Sequence, residues 1–296
     1  MTYTPSRGFA RKYLRPCLLG MAVSVVLITA PAVAFAQISL NQLLPKQIRD
    51  RGVLRVAIND GGTPPMIYIA ADNKTVEGLE PELTEAMSQL LGVKIEYTRS
   101  KFDGLIPAIK AGRADVAVSS IGDLKVRQTQ VDFVDYFKAG AALMVPAGNP
   151  RRIDGIPSLC GVSVAVLRGT YQEGEVIKQS SKCTNDGKAA VAIQAYNDPN
   201  SALMAVRTKR VEAWLGDSAP VGYVAKRSKG EFELAGAGAT IAYLGYAVDK
   251  SQTELRGAIK AALDELVKNG TYAKICQKWG QEANMIEQIT VNNALL

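Results

Sequence analysis

The sequence predicts an α/β protein made of two similar lobes, one inserted into the other. Three observations carry this. Beyond an N-terminal leader, strands and helices alternate twice in the order βαβαβ; two extended apolar stretches, 141–146 and 241–248, bracket the second series; and the chain ends in two helices with no sheet of their own. Such alternation implies a parallel sheet with helices on its faces.

The leader occupies residues 1–36. It holds Arg7, Arg11, Lys12 and Arg15 but no acid, then an apolar run from Leu18 to about Ala30, then Pro31 and the small-residue motif Ala34-Phe35-Ala36. This is the pattern of a secretory signal peptide cleaved after Ala36. An uncleaved membrane anchor is the alternative, because the apolar run is long for a signal. Cys17 precedes the run, so it is no lipoprotein acylation site, and Arg11-Lys12 is not a twin-Arg signal. Removing the leader leaves 260 residues and lowers the formal charge from +7 to +3, since four basic residues go and no acid does. The basicity therefore belongs largely to targeting and gives no argument for nucleic acid. A chain of that size buries one large core or two ordinary ones.

In the first series, Val53–Ile58 is a β-branched strand after Gly52, and Met66–Ala70 and Val76–Leu79 flank a polar hairpin loop, Ala71-Asp72-Asn73-Lys74. Leu79, Leu83, Met87, Leu90 and Leu91 recur at helical spacing, with Gly92 as the stop. Val93–Thr98 is a strand, Asp103–Ala111 a helix and Ala114–Val118 a buried strand. The second series starts after Gly148-Asn149-Pro150. Val162–Leu167 is a strand, Thr170–Ser181 a helix and Val191–Tyr196 a strand. Asp198-Pro199 opens the next helix with an N-cap and a first-turn Pro. Val211–Leu215 is a strand and Ser218–Arg227 a helix. Helices Gln252–Lys268 and Thr271–Trp279 follow, broken by Asn269-Gly270.

If the two bracketing stretches cross between lobes, lobe one comprises residues 37–144 plus 245–296 and lobe two residues 145–244. The cleft between them is then a preferred small-molecule site. Two domains in succession is the alternative, against which stands the strandless C-terminal remainder.

Beyond the leader the chain keeps Cys160, Cys183 and Cys276. Export to an oxidising compartment favours a disulfide. Cys160 and Cys183 flank one strand and helix and are predicted to pair; Cys276, on an amphipathic helix, reads as a buried free thiol. The absence of histidine excludes Ser-His-Asp and Cys-His catalysis and most zinc sites.

The most informative stretch is 102–133. It reads as a helix, an apolar strand, Ser119-Ser120 and a polar loop carrying Arg127. Ligands of open α/β sheets sit outside the carboxyl ends of strands, and an Arg fork fits a planar carboxylate. This corner suits a small carboxylate.

In order along the chain, the motifs LRVAI with Pro64-Pro65 following, GLEPELTEAMSQLLG, FDGLIPAIKAGRADVAVSS, Arg127 ahead of Val131-Asp132-Phe133, Leu167-Arg168-Gly169-Thr170 and GTYAKICQKWG resemble the solute-binding protein family 3, the extracytoplasmic receptors of ABC importers for polar amino acids. The resemblance spans about residues 50–280. It implies the two-lobed type II periplasmic binding protein fold with two hinge strands. It also implies a periplasmic monomer that takes a free amino acid by lobe closure and hands it to a membrane permease. No cofactor, metal or nucleic acid is expected.

The resemblance assigns Arg127 to the ligand α-carboxylate, where the alternative is a solvated surface charge. Ser119 and Ser120 align with further contacts to that ligand, against strand-end capping. Gly122 stands where some members carry another hydroxyl, leaving only its backbone N–H. Thr170 starts a helix whose N-terminal N–H groups suit a carboxylate, whether or not it is also the N-cap. Tyr171 follows with a backbone N–H and a ring to shape the pocket. Asp217 aligns with the acceptor of the α-ammonium, against an N-cap role for the helix after it. Phe102 aligns with an aromatic that stacks on the ligand, against core packing. Asp60 aligns approximately with an acid that meets cationic side chains. Thr63 and Met66 replace common aromatics. The ligand expectation is therefore a polar or cationic amino acid. The alternative is a periplasmic enzyme like cyclohexadienyl dehydratase, with Asp60, Asp217 or Glu173 as general acid.

Overall fold

The computed structural model describes residues 39–296, apart from the side chains of 237–240; the predicted leader and its cleavage point lie outside them. The elements run α1 (Lys46–Arg51), β1 (Val53–Asn59), β2 (Tyr68–Ile69), β3 (Val76–Glu77), α2 (Leu79–Leu91), β4 (Lys94–Ser100), α3 (Leu105–Lys110), β5 (Val116–Ala117), α4 (Lys125–Gln128) and β6 (Val131–Pro146). They continue β7 (Ser163–Leu167), α5 (Tyr171–Asn185), β8 (Ala192–Tyr196), α6 (Pro199–Arg207), β9 (Ala213–Asp217), α7 (Ser218–Arg227), β10 (Phe232–Asp249), α8 (Thr253–Lys268), α9 (Thr271–Lys278) and β11 (Thr290–Val291).

The fold is the two-lobed α/β architecture expected. One hydrogen-bonded path, β4-β1-β5-β10-β6-β9-β7-β8, runs through both lobes, with β11 added beside β6. β1 pairs in parallel with β4 from Val53↔Lys94 to Asn59↔Ser100, and with β5 at Val56↔Val116. β7 pairs in parallel with β8 and with β9. The hinge is β6 and β10, paired antiparallel from Val131↔Asp249 to Pro146↔Phe232.

The hinge strands are longer than the sequence suggests. β6 starts at Val131, not Ala141, and β10 at Phe232, not Ile241. β6 lies mid-sheet and is buried along most of its length, so its pattern does not alternate. Its acids Asp132 and Asp135 interrupt the apolar signal, yet both are buried and held by polar partners. The Ala-Gly repeat early in β10 has little strand propensity of its own; pairing with β6 imposes the conformation, with register shifts at Ala235/Ala239 and Ala239/Ile241.

Helical spacing turns into buried faces as predicted. Leu79, Leu83, Met87 and Leu91 of α2 are all fully buried, and Gly92 ends the helix at φ 64°, a left-handed position that glycine takes without a Cβ clash. α8 presents Leu255, Ile259, Leu263 and Leu266 to the same apolar cluster as Leu54 and Val56 of β1, so the C-terminal helices pack with the first strands. The second lobe has its own cluster around Leu143, Val164, Val166, Val176 and Leu215. Cluster membership passes from the first to the second between Ala139 and Ala141 on β6 and between Leu244 and Ala242 on β10.

Cys160 and Cys183 form a disulfide with Cα atoms 5.5 Å apart, and Cys276 is a buried free thiol whose ionisation burial pushes up to about 11. The disulfide closes a loop across a sequence separation of 23. Loop-closure entropy then predicts that the double variant Cys160→Ser/Cys183→Ser loses about 3 kcal/mol of stability, measured by urea unfolding against the oxidised parent.

Candidate functional site

Every strand of the two parallel sets ends at one cleft between the lobes. Asn59 ends β1, Phe102 follows β4, Ser119 and Ser120 follow β5, and these form one wall. Thr170 follows β7, Pro199 starts α6 beyond β8, and Asp217 ends β9, forming the other. The crossover rule for parallel sheets brings these ends to one side. Of the predicted residues, Phe102, Ser119, Ser120, Thr170 and Asp217 line the cleft.

Arg127 lies just behind that lining, on α4, and is 9 % exposed. Its guanidinium donates 2.7 Å bonds to Gly122 O in lobe one and Gly169 O in lobe two, so it ties the lobes together. Its carbon sits 5.6 Å from the Phe102 ring centroid, within cation–π range. Burial lowers its ionisation to about 10, with Asp217 and Asp123 opposing, so it remains a cation at neutral pH. The surface-charge alternative does not describe it.

Ser119 Oγ accepts the Asn59 N–H at 3.1 Å, which locks the end of β5 to the end of β1. Ser120 adopts φ 50°, a conformation few non-glycine residues take. Glu80, absent from the sequence-based site, holds it there. Its Oε1 accepts the Ser120 N–H at 2.6 Å and the Tyr136 hydroxyl, while Oε2 is buried with no hydrogen-bond partner. Glu80 has no exposed surface, and burial, with the Asp217 charge adding, pushes its carboxyl up to about 7. Its sequence signal was the i, i+4 row Glu80, Thr84, Ser88 on the buried face of α2.

Across the cleft, Thr170 is the N-cap of α5: its Oγ1 accepts the Glu173 N–H at 3.3 Å and donates to Leu167 O at 2.6 Å. Tyr171 points into the lobe-two core rather than lining the cleft, and burial beside Asp217 raises its ionisation strongly. Asp217 makes no side-chain cap to α7; it accepts a 2.5 Å bond from Gln172 Nε2. Burial pushes it up to about 6, while Gln172 and the Arg127 charge pull it back. Asp60 is not in the lining: its carboxylate is engaged by Arg99 and, at 3.8 Å, by Lys101. Met66, Gln172 and Trp214 line the cleft without a sequence signal of their own beyond apolar or polar type.

The lobes meet where side chains are smallest. A Cβ on Gly61 would lie 2.5 Å from Asp198 Cβ, one on Gly169 would lie 3.1 Å from Asp103 Cβ, and one on Gly122 would lie 3.3 Å from the Tyr171 ring. Among the described residues no acidic or sulfur cluster is arranged to hold a metal, and no helix is long and apolar enough to cross a membrane.

Two lobes on a paired-strand hinge, closing over a cleft of strand ends, define a binding protein of the two-lobed periplasmic type. The chain belongs to the bacterial extracellular solute-binding proteins, family 3, which it matches over residues 54–282. It is 28% identical to the arginine-binding protein ArgT of Corynebacterium glutamicum over 254 residues, 86% of this chain and 82% of that one. It is 26% identical to the L-cystine-binding protein TcyJ of Escherichia coli over 267 residues, 90% of this chain and 95% of TcyJ. A solved structure of an ancestral arginine-binding protein bound to arginine superposes with a TM-score of 0.71 at 32% identity, covering 77% of this chain and 98% of that one. These relatives are binding proteins.

Glu80 gives a pH signature. A carboxyl raised from 4.5 to about 7 on folding takes up a proton that the unfolded chain releases, so its contribution is fully present below pH 4.5 and is lost as pH rises to about 7. Glu80→Gln removes this dependence. The melting temperature of the variant relative to the parent should therefore climb across that window; a constant difference would remove the assignment.

Proposed function

We propose that this chain is a periplasmic receptor that captures a free amino acid by lobe closure and delivers it to an ABC-transporter permease. The observation that carries this reading is the placing of opposite charges about one cleft: Asp217 lines it from lobe two, and Arg127 lies just behind its lobe-one wall, close enough for each charge to act on the other. A zwitterion spanning them satisfies both. Its carboxylate meets the guanidinium, the Ser119 and Ser120 corner, the Gly122 N–H and the N-terminus of α5, through the first-turn N–H of Tyr171 beside the cap Thr170. Its ammonium meets Asp217, and Phe102 covers one flank. Closure follows because the ligand binds both lobes better together than apart.

In this reading lobe two comprises residues 145–244, its ends lying on β6 and β10 within a few residues of the change of apolar cluster near Gly140 and Tyr243. The leader is removed after Ala36 and the receptor acts as a monomer. The expectation of a cationic ligand rested on Asp60, whose carboxylate Arg99 and Lys101 already neutralise. In this reading the three acids considered have other work: Asp60 is ion-paired, Glu173 accepts the Gly169 N–H at 2.7 Å, and Asp217 would take the ligand ammonium.

A thermal-shift screen of the common amino acids checks the whole reading. A true ligand at a thousandfold excess over Kd should stabilise by about 4 kcal/mol, and no hit in the screen would sink it. Arg127→Ala should abolish that shift while leaving the far-UV circular dichroism intact. Gly61→Ala places a Cβ against Asp198 in the closed form; affinity should fall about tenfold or more by calorimetry, while the ligand-free melting temperature stays near the parent value.

A further inference from the structure

Charge is scarce in the cleft. Among its lining residues Asp217 alone carries one, and the amino acid's ammonium uses it. Asp60 is taken by Arg99 and Lys101 outside the lining. Glu80 sits behind Ser120, outside the lining and with no exposed surface; its Oε1 takes the Ser120 N–H and the Tyr136 hydroxyl, and its Oε2 is buried. A second cationic group on the ligand would therefore be buried without a counter-charge, a costly state.

Asn59, Ser119, Ser120, Thr170 and Gln172 also line the cleft, but their side chains are already hydrogen-bonded within the protein. Elsewhere the lining is largely apolar: Met66 is 1 %, Ile67 3 %, Trp214 3 % and Leu215 0 % exposed. Two polar atoms interrupt it. Trp214 Nε1 and Thr63 Oγ1 are buried with no hydrogen-bond partner. The indole N–H only donates, and the hydroxyl donates as readily as it accepts. Lysine and arginine side chains are donors without acceptors, so neither answers the indole. A side chain with an apolar stem and an acceptor at its tip answers all of these features.

Resting on the receptor reading, we propose that the side-chain subsite selects a neutral amino acid whose side chain ends in a hydrogen-bond acceptor, an amide or thioether, and excludes a cationic one. Trp214 and Thr63 are the specificity-determining residues, with Met66, Ile67 and Leu215 packing the stem.

Isothermal titration calorimetry of the full chain, freed of co-purified ligand by unfolding and refolding, against glutamine, methionine, leucine, arginine and lysine tests this. Glutamine or methionine should bind at least about 100-fold tighter than arginine or lysine. Trp214→Phe should weaken glutamine about tenfold more than it weakens leucine, the worth of one hydrogen bond. Arginine or lysine binding as tightly as the neutral ligands overturns the specificity and leaves the receptor reading standing. An equal loss for glutamine and leucine in Trp214→Phe overturns the role of the indole. No binding by any amino acid sinks the receptor reading and this inference with it.

Discussion

The pairing of β6 with β10 is the constraint on which the rest of the molecule hangs. Both lobes are built outward from this one ladder, β5 joining it on one side and β9 on the other. Two adjacent, hydrogen-bonded strands resist stretching and sliding but bend where the ladder is irregular. Of its three irregularities, one falls at Ala239/Ile241, opposite Gly140 and Ala141. Asp217 is the register partner of Ala141, and Ser218 Oγ accepts the Gly140 N–H at 3.3 Å. The acid of lobe two thus sits beside one irregularity of the hinge ladder. Arg127, reached through the loop after β5, lies on the opposing lobe with its fork already across the gap.

The wall built on β5 depends on a buried carboxyl. Holding Ser120 at φ 50° costs of order 1–3 kcal/mol, and the chain meets that cost with the Glu80 bond to the Ser120 N–H. Glu80 itself is expensive to bury as an anion, and Tyr136 and the serine share the load. One turn of α2 therefore shapes a wall of the cleft without touching its interior. The same logic recurs across the cleft, where Gln172 holds Asp217 from within α5.

Much of this was legible in the sequence. Alternating strand and helix periods gave the two lobes, because each element buries one continuous face. Phe102, Ser119, Ser120, Thr170 and Asp217 were legible as strand-end residues, since topology alone sends strand ends to a common edge. What escaped notice depends on contacts distant in sequence. Asp60 sits at a strand end too, yet Arg99 on the neighbouring strand claims it. Glu80 reads as an ordinary first-turn acid until Ser120, forty residues on, turns up against it. The early halves of the hinge strands were hidden for a similar reason: one carries buried acids and the other glycine and alanine, and their partner strand supplies the conformation.

The chain has no histidine, yet Glu80, Asp135 and Asp217 are raised by burial to about 7, 7 and 6. Near neutrality its titrating side chains are interior acids rather than exterior imidazoles. Mild acidification would therefore leave the outer electrostatic face, the one any membrane partner meets, almost unaltered, while rewriting the charge within. Such a molecule keeps a constant exterior and answers to protons from the inside.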